Sequence, residues 1–329
     1  YWRDWSSDVC SSDLINTANR SVASLKGVIR ETDFDVLVIC GWHYKKWMKI
    51  AKNFSGTKIL TLDNQWSGNL KQIFGQFYGR IFLRNRFQAV FVPGERSKLF
   101  AKKIGFNSSD IYQGLYVGNS RIFRPENSSL KRDFLFPGRL VPEKNIEELM
   151  KGYKEYQTRV PNPWKLKIAG WGPLKKKILN LEGIEYLGKL SQNQMALEMS
   201  RVRFTILPSV FEHWGVVIHE SALAGTPVIC SKKCGAADYF VYENQSGFLL
   251  STANSTNIAN ALYSAHLLSD SDYEAMRKYS IELASQFTTE FWNQTMLTMF
   301  CKYSKTERTE DRKSTRLNSS HANISYAVF

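Results

Sequence analysis

The chain has 329 residues, of which 43% are apolar, and its formal net charge at pH 7 is +14. This length and apolar content suit two ordinary domain cores, and no run approaches the roughly 18 apolar residues of a membrane span. The five cysteines are scattered and odd in number, which favours a reducing compartment over a disulfide framework. We therefore expect a cytoplasmic protein, either soluble or peripheral on the inner face of the cell membrane.

The positive charge is concentrated in the first half of the chain. Residues 16–128 hold 18 Lys and Arg against 7 Asp and Glu, whereas residues 129–305 hold 21 against 17. A basic surface attracts nucleic acid, anionic lipid or a phosphorylated substrate, and charge alone does not choose among these partners.

Both ends of the chain differ in character from the rest. Residues 1–15 and 306–329 lack periodicity and resemble translated sequencing-adaptor tails. We expect the first stretch to be a non-native tail and the second to be a non-native or disordered tail, and we leave both out of the fold prediction. The natural start of the protein is then expected to be missing.

Between these ends, short apolar runs alternate with segments of helical spacing. This alternation predicts a doubly wound parallel sheet in each half, with a helix also expected over residues 173–180. The polar stretch around Ser128 marks the predicted boundary. The predicted fold class is therefore α/β, with two Rossmann-like domains at 16–128 and 129–305 that face each other across a cleft.

The stretch from Phe204 to Ser231 predicts a strand, a loop, a helix and a second strand. Glu212 falls in the loop and Glu220 within the helix. In a parallel sheet this loop lies at the carboxyl end of its strand, where open α/β folds bind ligands, and the helix start offers N–H groups to a phosphate. An acid within an otherwise apolar helix is costly unless it has a partner, so Glu220 is a candidate binding group.

Two more loops of the second half follow predicted strands. The loop FPGRLVPEKN carries Arg139 and Lys144, two cations that can face one diphosphate, although solvated surface charges are an equally simple interpretation. The turn IAGWGP at 168–173 allows close approach of backbone to a nucleotide, or is an ordinary strand-to-helix turn. It does not match a Walker loop.

The order of these motifs, GRL with a following Lys, AGWGP, YLGKL, two glutamates with seven residues between them, and SGFLL, resembles the retaining GT-B glycosyltransferases of family 4. The resemblance covers roughly residues 130–300. It implies that Arg139 and Lys144 hold the diphosphate of a nucleotide sugar and that Glu220 contacts the ribose. Glu212 would contact the transferred sugar and is the first catalytic candidate. The remaining implied contacts to the donor sugar are Trp214, Gly215 and Val216, and those to the nucleotide are Gly170, Trp171, Gly172, Lys189 and Leu190.

The first half matches that family less well. No Gly-rich loop precedes Phe34, which suggests truncation. Many members carry a His at the end of a strand beside the reacting sugar. Asp63 and His43 are the two candidates for that place, and each is also interpretable as a turn residue. Asp33 and Asp35 mimic a metal-binding DxD motif but lie at the start of a strand, so neither a metal nor another cofactor is expected.

The resulting hypothesis is a hexosyltransferase that moves a sugar, with retention, from a nucleotide-diphosphate sugar to a glycan or lipid-linked acceptor in cell-surface polysaccharide synthesis. Lys45, Lys46 and Lys49 with Trp42 and Trp47, and the aromatic helix over 70–86, make an anionic membrane surface a candidate partner. The alternatives are a sugar-nucleotide epimerase of the same fold and a basic nucleic-acid-binding protein, although no nucleic acid is expected. A third possibility is a truncated, inactive chain.

Overall fold

The structure, a computed structural model, describes residues 23–24, 27, 35–43, 45–126 and 132–303, together with the backbone of residues 326–328. The chain divides into two compact units. The first comprises Tyr1–Leu115 and Asn293–Phe329, and the second comprises Tyr116–Trp292. In the part that the structure describes, no helix is both long and apolar enough to cross a membrane.

This division differs from the predicted domains at 16–128 and 129–305. The predicted boundary near Ser128 lies outside the described residues, but Phe123 is already packed in the core of the second unit. At the other end, Lys302 and Tyr303 return to the first unit, because Lys302 Nζ donates to the Ser109 carbonyl (2.6 Å) and Tyr303 Oη to Asp110 (2.7 Å). The segment at Phe123 therefore belongs to the second unit and the segment at Lys302–Tyr303 to the first, as their packing partners show.

The first unit contains a parallel sheet with helices between its strands. Its elements are β1 (Val36–Cys40), α1 (Lys45–Asn53), β2 (Thr57–Thr61), α2 (Leu70–Tyr78, continued by a π-helical turn Gly79–Leu83), β3 (Ala89–Val92), α3 (Glu95–Lys103) and β4 (Ile111–Gln113). The strands pair in the order β1-β2-β3-β4, with Leu60 opposite Val90. Short apolar runs between Gly- and Asn-containing turns have formed buried strands, as the sequence predicts.

The predicted tails at 1–15 and 306–329 lie outside the described residues, with one exception. A strand at Tyr326–Val328 pairs in parallel with β1 and adds a fifth strand to the first sheet, where the sequence predicted none.

The second unit contains a six-stranded parallel sheet. Its elements are β5 (Arg132–Pro137), α4 (Ile146–Gln157), β6 (Leu166–Ala169), β7 (Ile184–Gly188), α5 (Gln192–Arg201), β8 (Val202–Leu207), α6 (Val216–Leu223), β9 (Val228–Ser231), α7 (Ala237–Phe240), β10 (Gly247–Leu250), α8 (Ser255–Leu267) and α9 (Asp270–Ser285); a further helix, α10 (Thr289–Tyr303), begins in this unit and ends in the first. The strand order is β10-β9-β8-β5-β6-β7. This is the 3-2-1-4-5-6 order of a dinucleotide-binding fold, read from β7 to β10.

The two parallel-sheet α/β units confirm the predicted fold class. One predicted element of the second unit is wrong. Residues 173–180 form only a short 3₁₀ helix at Pro173–Lys177, in which no residue is buried. Leu174 packs on the core and Ile178 is buried in it, so the segment has an apolar side. The Leu174 N–H donates to the Leu140 carbonyl (3.0 Å), and the Lys175 and Ile178 N–H groups donate to residues three positions earlier, so the segment closes as 3₁₀ turns.

Candidate active site

The strand order of the second unit places its binding edge between β5 and β8. These neighbours are central in the sheet, and the chain continues from β5 to one side and from β8 to the other. At such a switch point the loops after the two strands diverge and leave a crevice in which ligands bind. The loop after β5 runs over residues 138–145, and the loop after β8 over residues 208–215.

The two loops are joined by an ion pair between Lys144 and Glu212. Lys144 Nζ donates to Glu212 Oε2, and the side chains are only 11% and 22% exposed. The sequence suggested separate roles for these residues, diphosphate for one and sugar for the other, and the structure brings them into contact. Because an ammonium carries three donors, Lys144 can hold Glu212 and an anion together. Arg139, on the same loop, is exposed.

The glycines of the loops after β5 and β6 have a structural reason to be glycine. A Cβ on Gly170 would lie 1.8 Å from the Gly138 carbonyl oxygen, and one on Gly172 would lie 2.4 Å from that of Leu140. Backbone hydrogen bonds join the same loops, with Leu140 N donating to Trp171 O at 2.8 Å. The AGWG turn therefore supports the position of the Arg139 loop, and Trp171 is left 57% exposed above it. Lys189, after β7, is exposed, and neighbouring Leu190 packs partly on the core.

Helix α6 begins directly behind Glu212. Gly215, its N-cap, has φ +86°, and a Cβ there would lie 3.1 Å from Glu212 Cγ, so glycine lets the loop turn tightly into the helix. The Trp214 side chain is only 4% exposed and packs on Tyr239, with ring centroids 5.3 Å apart. A ligand can therefore contact the backbone of Trp214, Gly215 and Val216. Their N–H groups are suitable donors, because the first N–H groups of a helix have no partner within it.

Glu220 lies on the second turn of α6 and is buried to 2% exposure. Its Oε2 atom has no hydrogen-bond partner among the described residues. Burial raises the pKa of this carboxyl to about 8, since the charged form loses its hydration. A buried acid of this kind is costly to the fold unless a ligand supplies donors, and two vicinal hydroxyls are a suitable source.

The sequence interpretation did not identify the neighbouring His219. Its Nδ1 accepts from Gly118 N (2.8 Å), its Nε2 donates to the Ala284 carbonyl (2.9 Å), and its ring stacks on Phe240 at 4.4 Å. Burial lowers the pKa of this imidazole to about 4, so it is neutral at pH 7. His219 thereby ties α6 to the segment at Gly118 and to α9. A histidine within an apolar helix was the signal in the sequence.

In the first unit, the candidates Asp63 and His43 follow neighbouring strands. His43 comes after β1 and Asp63 after β2, so both lie at the carboxyl edge of the sheet. Trp42 Nε1 donates to Asn64 Oδ1 (3.4 Å) and connects the two loops. Asp63 and His43 are therefore equally well placed as candidates for the group at a strand end. Asp35, at the amino end of β1, is remote from this edge, and Asp33 lies outside the described residues.

No group of three or more His, Cys, Asp or Glu side chains within the described ranges is arranged to hold a metal ion.

Known proteins resemble both the second unit and the chain as a whole. The family model described as glycosyl transferases group 1 matches residues 120–283. The exopolysaccharide phosphotransferase of Streptomyces coelicolor is 27% identical over 82% of this chain and 28% of its own length. The 2-deoxystreptamine N-acetyl-D-glucosaminyltransferase of Niallia circulans is 27% identical over 48% of this chain and 42% of its own. The chain thus spans less than half the length of these relatives.

Among solved structures, Anabaena HepE in complex with UDP and glucose superposes with a TM-score of 0.70 at 16% identity, covering 85% of this chain and 81% of that one. At this identity the likeness concerns the fold. The chain therefore has the GT-B fold, and its residues 120–283 match the family of glycosyl transferases group 1.

Proposed function

We propose that the chain transfers a hexosyl unit from a nucleoside-diphosphate sugar to a glycan or lipid-linked acceptor, with retention of the anomeric configuration, in polysaccharide synthesis. The observation that carries the proposal is the buried Glu220 carboxyl, whose Oε2 atom has no hydrogen-bond partner within the described ranges, on the helix that follows the Lys144–Glu212 pair. Structures of HepE with UDP and glucose support the donor class, and the name of the Streptomyces relative supports a polysaccharide product.

Each group of the site takes one part of the donor. Lys144, Arg139 and the amino end of α6 neutralise the diphosphate, which becomes the leaving group, so no metal is needed. Glu212 accepts hydrogen bonds from hydroxyls of the transferred sugar, and Glu220 from those of the ribose. The turn at Gly170–Gly172 and the stretch at Lys189–Leu190 lie beside the base. In the first unit, Asp63 or His43 is the candidate catalytic group, since each follows a strand at the carboxyl edge of the sheet.

A nucleotide-binding screen tests the donor site. We expect UDP, GDP or one of their sugar conjugates to raise the melting temperature of the protein, and Glu220→Gln to abolish that rise while the variant stays folded. Glu282→Gln, at an exposed position of the same unit, is the matched control. A wild-type protein that no nucleotide stabilises would refute the proposal.

Product analysis tests the reaction. Transfer of a sugar releases the nucleoside diphosphate, whereas a phosphotransferase acting on the same donor would release the monophosphate. Donor turnover that proceeds without an acceptor would instead favour the epimerase alternative.

Proton NMR of the product reports whether the anomeric configuration is retained. Activity in the presence of EDTA reports whether a metal is required.

The first unit carries the surface that would meet a lipid-linked acceptor. Helix α2 and its π-helical turn expose a row of large apolar side chains, which are Leu70 (72%), Phe74 (71%), Phe77 (57%), Ile81 (59%) and Phe82 (45%). Between residues 45 and 94 the chain has nine Lys or Arg and one acid. Trp42 and Trp47 are half-buried rather than exposed. Exposed aromatics with a basic surround suit an anionic bilayer surface.

Vesicle sedimentation tests this surface. We expect the protein to bind vesicles that contain phosphatidylglycerol and to bind much less to phosphatidylcholine alone. The double variant Phe74→Ser, Phe77→Ser should lose the binding. Leu267→Ser, at a 61% exposed position of the second unit, should keep it. Equal binding to both lipids would contradict the proposed surface, and salt-sensitive binding to RNA instead would favour the nucleic-acid alternative.

A further inference from the structure

Asn145 has an unusual backbone conformation at a key point of the second unit. It links a short 3₁₀ helix at Pro142–Lys144 to α4, and its φ and ψ of 61° and 38° are left-handed. Few residues other than glycine tolerate this conformation, and asparagine is one of them. Its side chain is therefore aimed in a direction that a helical residue at this position would not allow.

The Asn145 side chain donates two hydrogen bonds, each to the backbone of another loop. Nδ2 donates to the Pro208 carbonyl at 3.1 Å and to the Ala253 carbonyl at 2.6 Å. Pro208 begins the loop after β8, and Ala253 follows β10. Because a side-chain amide has two donors, the amide nitrogen is fully used in joining the loops after three different strands.

The loops after β5 and β8 contact each other at two further points. Val210 N donates to the Glu143 carbonyl at 3.0 Å, and Lys144 pairs with Glu212. Asn145 directly follows Lys144, and Pro208 precedes Glu212 by four residues. The side-chain amide of Asn145 thus fixes the distance between the loop that carries Lys144 and the loop that carries Glu212.

We propose that Asn145 is a positioning residue, which holds the Glu212 loop against Lys144 so that both charges face the donor. Its effect on donor binding rests on the proposed function, whereas its hold on the loop does not. The proposal therefore makes two separate predictions, one without nucleotide and one with it.

The chain offers a matched set of variants. Glycine adopts a positive φ without strain, so Asn145→Gly keeps the backbone and removes the amide. Asn145→Asp keeps the shape but presents an acceptor to two carbonyl oxygens. Asn180 and Asn244 have nearly the same φ, 62° and 61°, on exposed turns of the same unit. Asn180→Gly and Asn244→Gly are therefore controls for the substitution itself.

The experiment combines amide hydrogen exchange in the nucleotide-free protein with calorimetric titration of UDP. In Asn145→Gly we expect exchange of the Val210 amide to be about tenfold faster and UDP to bind about fivefold to tenfold more weakly, with a larger loss in Asn145→Asp. The amide of Ile168, in β6, should exchange at the wild-type rate, which shows that the sheet is intact. Both control variants should behave as wild type.

Unchanged exchange at Val210 in Asn145→Gly would overturn the proposal. Faster exchange with an unchanged affinity for UDP would overturn the link to the donor site. If wild type itself binds no nucleotide, the proposed function fails, and the exchange data still decide whether Asn145 holds the loop.

Discussion

The two units differ in where they keep their unusual side chains. In the second unit, polar groups are buried at the switch point of the sheet. Lys144 is paired with Glu212, and Glu220 Oε2 has no hydrogen-bond partner in the part of the chain that the structure describes. In the first unit, the unusual feature is apolar and lies outside, along α2. Burial of a polar group is paid for in stability, so it indicates a ligand of defined shape, whereas an exposed apolar row indicates a broad surface. The contrast fits the proposed division of roles, with the donor site in the second unit and the acceptor surface in the first.

Removal of Lys144 is expected to have the largest effect. Lys144→Ala deletes the cation that we propose faces the leaving diphosphate, so kcat/KM for the donor should fall by about 10²–10³. Steady-state kinetics with the donor found in the screen measure this loss. Lys151→Ala removes a lysine paired with Glu148 on the exposed face of α4 and should leave kcat/KM unchanged. Equal kinetics for the two variants would show that the switch point is not the donor site.

Glu220→Gln should stabilise the protein while it abolishes nucleotide binding. The pKa of Glu220 is raised from 4.5 to about 8, so folding must protonate a carboxyl that is ionised in the unfolded chain. This penalty is absent below pH 4.5 and grows as the pH rises to about 8. At pH 8 the variant should be more stable than wild type by about 2–4 kcal/mol, and near pH 4.5 the two should be equal. Urea denaturation at both pH values measures the difference, and equal stability at pH 8 would mean that the carboxylate already has a partner.

His219→Leu is expected to act at the opposite end of the pH range. At pH 7 the variant should be less stable by about 1–3 kcal/mol, because the Gly118 N–H and the Ala284 carbonyl lose their partner. The pKa of His219 is lowered from 6.5 to about 4, so wild type loses stability as the pH falls through that interval, and the variant does not. The gap between the two proteins should therefore narrow toward pH 4 in urea titrations. A difference in the free energy of unfolding that stays constant with pH would contradict a buried, neutral imidazole.

The smallest effect on stability is expected on the exposed face of the first unit. The double variant Phe74→Ser, Phe77→Ser should change the free energy of unfolding by less than about 0.5 kcal/mol. Phe134→Ala, in the fully buried core of the second unit, should cost about 3–5 kcal/mol. Chemical denaturation compares the two, and a large loss in the double variant would place those rings in a core.

Most elements of both sheets were predictable because their signals are local. Apolar runs bounded by Gly, Pro and Asn marked the strands, and a glycine with φ +86° stands where the loop after β8 turns into α6. The helix predicted over residues 173–180 was wrong for a tertiary reason, since the Leu174 N–H bonds to the Leu140 carbonyl in the loop after β5. Strand order is invisible in a local pattern.

The sequence by itself determined the α/β class, the two glutamates on either side of a helix start, and the cations after the first strand of the second half. Only the tertiary structure decided that Lys144 and Glu212, 68 residues apart, form one pair and that His219 and Asn145 bind distant loops. It also decided that Glu220 is buried, with its Oε2 atom unpartnered among the residues that the structure describes. The physical reason is that periodicity reports which face of an element is apolar. Which loops meet depends on how the strands are ordered in the sheet, and burial of a charge depends on everything packed around it.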